Sequence, residues 1–449
     1  MGIRSPQPIN HQSAITPQSA ISDVVNQQFA IRNPQFMRRQ VLILSTTTGY
    51  QLRAFGDAAA RLGIDLVFAT DRCHMIDDPW RDSAIPVRFH EEDASLRAIV
   101  ESAGQRRIDG VIAVGDRPVV LAARVTEALG LSGNPTDAAA ASANKLLTRQ
   151  HLVEAGLPAP WFVTVAETEL PEGVRFPCVV KPLGLSGSRG VIRANTPGEL
   201  NEALHRVRAL LARGDVRVLR TGLEDHLLIE EFIEGREYAI EAVLTRGRLQ
   251  TFAIFDKPDP LDGPFFEETI YLTPSALPAE IHRVVEEMVA RAAQALGLFH
   301  GPLHAECRIG PSGIVVLEIA ARPIGGLCSK VLRFERGETL EEVLLRHAAG
   351  DDVSSIAVDP RAAGVMMIPI PRRGRLRRVE GEDAARDVAG IEDVRITAKA
   401  DQLLEPLPEA GSYLGFIFAR GLTTDIVEEA LREAHRRLRF VVDSPIEVT

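Results

Sequence analysis

Short apolar runs separated by amphipathic stretches mark the first folded part of the chain. Residues 41–44, 64–69 and 108–114 are apolar runs with the length of buried parallel strands. After the first run, apolar residues recur on one face of a helix that ends at Gly63, and residues 118–129 predict a second helix. Strands that alternate with helices predict a doubly wound parallel sheet, with a crevice for ligands at the carboxyl ends of its strands.

The pattern of elements changes after about residue 135. Strands are predicted at residues 178–181, 227–232, 238–244, 303–309 and 314–319, and a long amphipathic helix at residues 281–296. The last two of these strands flank the sequence Gly-Pro-Ser-Gly, which predicts a β-hairpin. Later strands and a helix predict a small terminal α+β unit, at residues 364–370, 413–419 and 425–438. We therefore predict a disordered tail (1–36), an α/β domain (37–135), a central domain (136–350) and a C-terminal domain (351–449).

The composition narrows the class of protein. A formal net charge of −10 argues against nucleic acid or an anionic membrane as a partner. The apolar runs stay well short of the roughly 18 residues that a membrane span needs. The 4 cysteines form no Cys-x-x-Cys pair and have no histidines at metal-ligand spacing, so neither a disulfide framework nor a zinc site is predicted. These features predict a cytoplasmic enzyme that acts on small molecules.

A lysine and a glycine-rich loop follow one of the central strands. Lys181 ends the apolar run of residues 178–181, and residues 184–190 have the sequence Gly-Leu-Ser-Gly-Ser-Arg-Gly. An ammonium group and the backbone amides of such a loop can surround phosphate oxygens. The loop differs from the Walker and dinucleotide motifs. Taken alone, an ordinary structural turn explains it equally well.

The predicted hairpin brings two carboxylates together. Strand alternation puts His304, Glu306 and Arg308 on one face of the first strand. It puts Val316, Glu318 and Ala320 on one face of the second. Glu306 and Glu318 can then face each other, and Mg²⁺ is a suitable compensating cation for the pair. The alternative is a solvated rim in which Arg308 pairs with one glutamate. His304 is either a general base or a simple hairpin side chain, and Arg322 either serves the same site or forms an ordinary salt bridge.

An acidic segment lies between the glycine-rich loop and the hairpin. Residues 229–238 predict a strand that turns through Gly235 and offers an edge of backbone to a planar base such as adenine. Glu230 can accept from the exocyclic amine of adenine, and Glu237 can reach ribose hydroxyls. The alternative is an acidic loop that binds no ligand.

In their order along the chain, these motifs resemble those of the ATP-grasp superfamily. The resemblance covers about residues 40–440 and rests on Lys145, Val180-Lys181-Pro182, the glycine-rich loop, residues 230–235, His304-Ala305-Glu306 and Glu318-Ile319-Ala320-Ala321-Arg322. It implies an N-terminal α/β domain, a central pair of ATP-grasp lobes that clamp ATP, and a small C-terminal α+β domain.

The resemblance also implies roles for individual residues. Lys145 and Lys181 would contact the phosphates of ATP beneath a lid formed by the glycine-rich loop. Further nucleotide contacts are implied for Ser186, Gly187, Ser188, Gly190, Glu230, Glu231, Phe232, Ile233 and Glu237. Glu306 and Glu318 would hold Mg²⁺, which Mn²⁺ can replace, and Arg322 would stabilise the charged reaction centre. The family's last motif often has asparagine, a further metal ligand, where this chain has Ala320.

Within the superfamily, residues 301–306, 318–326 and 411–417 look most like L-amino-acid ligases, which make dipeptides. Glu268 matches the acidic residue that holds the substrate's ammonium group there, and Gly325 and Gly326 lie where the acid substrate is expected. The implied reaction joins a small carboxylic acid to an amine through an acyl phosphate and releases ADP and phosphate. A homodimer is compatible with this reaction. The competing hypotheses are another ATP-grasp ligase, of the purine-pathway or biotin-carboxylase type, and a nucleotide-binding regulator that has lost catalysis.

Overall fold

The computed structural model describes residues 38–46, 49–71, 84–166 and 171–443. The predicted tail of residues 1–36 lies outside the described residues, as does Cys73. The helices are α1 (Gly49–Leu62), α2 (Glu92–Ala103), α3 (Val119–Leu129), α4 (Thr136–Ser142), α5 (Lys145–Glu154), α6 (Pro197–Leu211), α7 (Gly214–Arg217), α8 (Ala279–Ala295), α9 (Leu340–Ala348), α10 (Glu382–Arg386) and α11 (Thr424–Arg437).

The strands belong to four sheets. They are β1 (Gln40–Ser45), β2 (Asp65–Thr70), β3 (Ala84–Pro86), β4 (Gly110–Val114), β5 (Phe162–Ala166), β6 (Cys178–Pro182), β7 (Ile192–Ala194), β8 (His226–Glu231), β9 (Arg236–Thr245), β10 (Arg248–Asp256), β11 (Ile270–Thr273), β12 (Gly301–Gly310), β13 (Gly313–Ala320), β14 (Ala362–Ile368), β15 (Gly374–Glu380), β16 (Ile391–Ile396), β17 (Leu403–Leu404), β18 (Gly415–Gly421) and β19 (Arg439–Asp443).

The N-terminal sheet is parallel, as predicted, with the strand order β3-β2-β1-β4. Its apolar strand residues are buried on both faces, which explains why the runs lack polar alternation. The order in which the chain adds strands to this sheet reverses between β1 and β4. Ligands of open α/β sheets bind at such a switch point. Asp116, two residues after β4, lies at this edge.

A small antiparallel sheet of order β5-β8-β6-β7 carries α6 on one face. We call this unit the lid lobe. Helix α6 begins cleanly because the Thr196 hydroxyl accepts from the Glu199 backbone amide at 3.2 Å and Pro197 occupies the first turn. Apolar residues of α6 cover β6 and β8 and fix the strand that carries Lys181.

The largest sheet has eight antiparallel strands, in the order β13-β12-β9-β10-β11-β14-β18-β16. Strand β11 pairs with β14, so the sheet runs through the predicted boundary at residue 350. A three-stranded sheet of β17, β15 and β19 completes the C-terminal part. The domain boundaries given above remain predictions, whereas the N-terminal parallel sheet and the mixed α/β architecture are confirmed. Among the helices of the described ranges, none has the length and apolar content needed to cross a membrane.

Candidate active site

A cavity of about 580 Å³ lies where the N-terminal sheet, the lid lobe, the eight-stranded sheet and the C-terminal part meet. Most of the predicted site residues line it: Lys145, Lys181, Ser186, Gly187, Ser188, Glu230, Glu231, Phe232, Ile233, Glu237, Glu268, His304, Glu306, Glu318, Arg322, Gly325 and Gly326. Gly190 is the exception. Its amide donates to the Pro408 carbonyl at 2.9 Å, and its φ of 76° indicates that this glycine shapes the loop. The nucleotide contact predicted for Gly190 stays a prediction.

Two lysines supply positive charge at the lid side of the cavity. The Asn144 side chain caps α5 by accepting from the Leu146 amide at 3.0 Å, which places Lys145 in the first turn. The Lys145 ammonium donates to the Leu185 carbonyl at 2.7 Å and so contacts the glycine-rich loop. Lys181 forms an ion pair with Glu230. Protein groups therefore hold both ammonium groups in position.

Glu230 is a buried carboxylate held by two cations. Arg149 Nε lies 2.9 Å from one carboxylate oxygen, and Lys181 contacts the other. Burial by itself raises the pKa of Glu230, but the positive charges of Arg149 and Lys181 outweigh it and lower this pKa to about 2. Because both oxygens are engaged, Glu230 fixes the position of Lys181. Its contact with an adenine amine remains a prediction.

The predicted hairpin is present, and Glu306 and Glu318 are register partners on β12 and β13. Both side chains are partly open to the cavity. A β-bulge after this pair shifts the register, so that Val316 lies opposite Cys307 and packs in the apolar core. The prediction that Val316 shares a face with Glu318 is wrong, because one extra residue in a strand reverses the alternation beyond it.

Lys257, which the sequence analysis missed, lies among three carboxylates of the cavity. Its ammonium is 2.8 Å from Glu237 and 2.8 Å from Glu306, and it also contacts Glu268. Burial lowers the pKa of Lys257, but the three negative charges raise it well above its usual value. Burial also raises the pKa of Glu268 to about 7, although Lys257 opposes the shift. The available signal was a lysine between an apolar strand and a proline, the pattern that identified Lys181.

Glu237 therefore has protein partners in addition to any ligand. Its second oxygen accepts from Arg308 Nε at 3.0 Å, so Arg308 pairs with Glu237 and not with Glu306 or Glu318. The side-chain oxygens of Glu237, Glu268 and Glu306 lie within 4.8 Å of one another, a spacing that suits a cation. Lys257 and Arg308 offset part of the negative charge of these three carboxylates.

His304 is buried between two glutamates. Its Nδ1 lies 3.2 Å from Glu241 Oε2, and its Nε2 lies 3.8 Å from Glu306 Oε1. Burial lowers the pKa of His304, but hydrogen bonds to Glu241 and Glu306 outweigh it and raise this pKa to about 9. The role of His304 as a general base stays a prediction. The geometry favours the alternative, a hairpin side chain that orients Glu306.

Arg322 joins the hairpin to the N-terminal sheet. Its Nε and Nη2 lie 2.7 Å and 3.4 Å from the two oxygens of Asp116, and Nη2 lies 3.7 Å from Glu318. Burial lowers the pKa of Arg322, whereas the charges of Asp116 and Glu318 raise it, and the raised pKa keeps this guanidinium charged. Asp116 was not predicted from the sequence, where its only signal was its place after the last parallel strand.

Three families match successive parts of the chain. Residues 56–133 match the ATP-grasp N-terminal domain, residues 174–331 the ATP-grasp domain, and residues 366–443 the L-amino acid ligase C-terminal domain 2. The order of the three matches is the predicted order of the domains.

A solved structure and individual relatives are similar to this chain in the same regions. A crystal structure of an L-amino acid ligase from Bacillus licheniformis is 25% identical, superposes with a TM-score of 0.75, and covers 91% of this chain and 100% of that chain. The ATP-grasp enzyme fsqD of Aspergillus fumigatus is 26% identical over 65% of this chain. Carnosine synthase 1 of Gallus gallus is 32% identical over 53% of this chain. The chain spans 53% of the length of the fungal relative and 27% of the avian one. With its fold, its cavity and these matches taken together, the chain carries an ATP-grasp domain and has the ATP-grasp fold.

Proposed function

We propose that this chain is an ATP-dependent ligase that activates the carboxylate of an amino acid as an acyl phosphate and joins it to an amine. The observation that carries the proposal is the convergence on one cavity of two lysines, a facing carboxylate pair and a buried arginine, namely Lys145, Lys181, Glu306, Glu318 and Arg322. The match of the L-amino acid ligase in fold and length supports an amino-acid substrate. The location proposed for the enzyme is the cytoplasm, where ATP is available.

We assign each of these cavity residues a separate role in the reaction. Lys145 and Lys181 bind phosphate oxygens, beneath the glycine-rich loop that excludes water. Arg322 faces the charge that gathers when the acid carboxylate attacks the γ-phosphate and when the amine then displaces phosphate. The carboxylate donors Glu306 and Glu318 fit Mg²⁺, which when bound would neutralise phosphate charge. His304 and Lys257 hold Glu306 in place from two sides.

Phosphate release with pools of amino acids and small acids tests the proposal. We expect ADP and phosphate only when a carboxylate and an amine are both present, with an amide as the product. AMP and pyrophosphate as products would contradict the acyl-phosphate step. Dependence on bicarbonate would select the carboxylase-type alternative. Tight ATP binding without turnover on any acceptor would select the regulator, for which the small, buried Ala320 opposite His304 is the supporting observation.

A further inference from the structure

The cavity extends past the charged residues into an apolar compartment. It is lined by Tyr271, Cys328, Met367, Tyr413 and Phe416, which we call the apolar chamber. They come from β11, the turn Cys328–Val331, β14 and the segment that leads into β18. Four of the five expose 3% or less of their surface, so the chamber is enclosed by protein.

The side chains that line the chamber contact one another in pairs. Cys328 Sγ lies 3.7 Å from Met367 Sδ, and the rings of Tyr413 and Phe416 are 6.2 Å apart. The ring of Tyr271 lies beneath the Lys257 ammonium, 5.0 Å from its centroid. The wall therefore begins beside the carboxylate cluster and leads away from it.

We propose that the apolar chamber binds the side chain of the amino acid that is activated, and that it selects amino acids with extended apolar side chains. This inference rests on the proposed function and adds the substrate class to it. The substrate's ammonium group lies at Glu268, a carboxylate that lines the cavity beside the chamber, and its carboxylate is directed toward Arg322. The side chain then enters the chamber.

The chemistry of the chamber excludes other classes of side chain. None of its five residues carries a charge, and the hydroxyl of Tyr271 and the thiol of Cys328 already donate to Glu306 and Met367. A charged substrate side chain would lose its water without gaining an opposite charge. An apolar side chain gains from burial, by about four-fold in kcat/KM for each methylene group.

A homologous substrate series tests this selectivity. The probes are alanine, 2-aminobutyrate, norvaline and norleucine, each with one fixed pool of acceptor amines, compared with serine, aspartate and lysine. We expect kcat/KM for phosphate release to rise along the apolar series by about 50-fold in all. Aspartate and lysine should be poorer substrates than alanine. Calorimetric binding of the same probes, in the presence of a non-hydrolysable ATP analogue, should follow the same order.

Neighbouring methionines on β14 provide a matched pair of variants. Met367 lines the chamber, whereas Met366 points to the other face of the sheet and packs in the C-terminal core. Met367→Ala should lower the norleucine-to-alanine ratio of kcat/KM about ten-fold and leave the KM for ATP unchanged. Met366→Ala removes the same atoms from the same strand and should leave the ratio unchanged. Thermal unfolding of both variants reports their folded state.

The outcomes separate this inference from the proposed function. If amino acids support turnover but serine or aspartate is preferred, or if both methionine variants change the ratio equally, the apolar chamber is not the selecting site. If no amino acid supports turnover or binds, the proposed function and this inference both fail.

Discussion

At the scale of single residues, Arg322 has the arrangement of a group that responds to new negative charge. It is buried and held by Asp116 and Glu318, but its planar fork remains at the cavity wall. An anionic phosphoryl or tetrahedral group can compete for that fork, which a single ammonium cannot reproduce.

We therefore expect Arg322→Ala to lower kcat about a thousand-fold, with little change in ATP affinity, because its interaction forms as the reaction proceeds. Arg322→Lys should recover little of this loss. Calorimetry with ATP and phosphate-release kinetics measure the two quantities. Exposed Arg361, which forms a fork with Asp359, is the control for replacement of a paired arginine.

Loss of the arginine also removes the ion-pair partner of Asp116, so the fold needs a separate check. The double variant Asp116→Asn/Arg322→Ala removes the isolated carboxylate. Should ATP affinity fall in step with kcat in this variant, Arg322 would be a nucleotide clamp or a structural ion pair.

Glu318 gives a second prediction at this scale. Glu318→Gln keeps the shape of the side chain but removes the charge that Mg²⁺ requires, so turnover should fall by about a hundred-fold or more at limiting Mg²⁺. The thermal unfolding temperature should change little, because Glu318 is partly exposed. Glu335→Gln, an exposed glutamate outside the cavity, is the control. Full activity of Glu318→Gln at low Mg²⁺ would rule out Glu318 as a metal ligand.

Which residues the sequence reveals depends on whether their chemistry is local. Lys181 and the glycine-rich loop adjoin each other in sequence, and Glu306 and Glu318 are joined by one tight hairpin. Lys257 acquires its role only when β9, β10 and β12 bring Glu237 and Glu306 beside it. Asp116 likewise meets Arg322 across 206 positions of sequence. No local pattern records either contact.

At the scale of elements, the glycine-rich loop is attached to the C-terminal part of the chain. Arg189 Nε donates to the Glu409 carbonyl at 2.8 Å, and the Gly190 amide donates to Pro408. From α6, Arg206 forms a fork with the Glu409 carboxylate at 2.6 Å and 3.0 Å. The loop that would cover ATP is thus held closed by residues of another unit.

Glu409→Ala should raise the KM for ATP about two- to five-fold, because a partly exposed ion pair stabilises the closed loop by up to about 1 kcal/mol. Cleavage of the loop by trypsin at Arg189 should become faster. Glu433→Ala is the matched control, since Glu433 pairs with two arginines of its own helix, remote from the cavity. An unchanged KM together with unchanged cleavage would show that this contact does not hold the loop.

The elements themselves were largely predictable where one apolar pattern persists over several residues. The parallel strands, the hairpin and the helix α8 follow their predicted positions within a few residues. Strands β10 and β11 were not predicted, and neither was the bulge between Val316 and Glu318. A bulge shifts the pairing register of two strands by one residue. Its position depends on how the two strands pair, and the apolar pattern of either strand alone does not specify that pairing.

At the scale of the whole molecule, the N-terminal sheet packs directly on the ATP-grasp part through α9. The approach is close, because a Cβ added at Gly110 of β4 would lie 2.1 Å from the Ala348 carbonyl oxygen. Two histidines stack in this interface, with the ring centroids of His300 and His347 4.2 Å apart. His347 Nε2 also lies 2.9 Å from the Thr245 hydroxyl.

The stacked pair makes the interface sensitive to acid. Burial, with a smaller effect of the His300 charge, lowers the pKa of His347 to about 4 from its usual 6.5. The folded state therefore resists protonation of a group that the unfolded chain protonates readily. The contribution of neutral His347 to the free energy of unfolding is fully present above pH 6.5. This contribution is lost as the pH falls from 6.5 to 4.

Replacing His347 by glutamine should remove this acid sensitivity while keeping a partner for the Thr245 hydroxyl. Between pH 7 and pH 5, His347 alone lowers the free energy of unfolding by about 2 kcal/mol, and the variant should lack that part of the decrease. Urea denaturation at the two pH values measures the difference. His205→Gln changes an exposed histidine of α6 and should leave the decrease as it is. If His347→Gln loses as much stability on acidification as the unchanged chain, then protonation at this interface does not limit the stability of the assembled domains, and other groups must account for their acid unfolding.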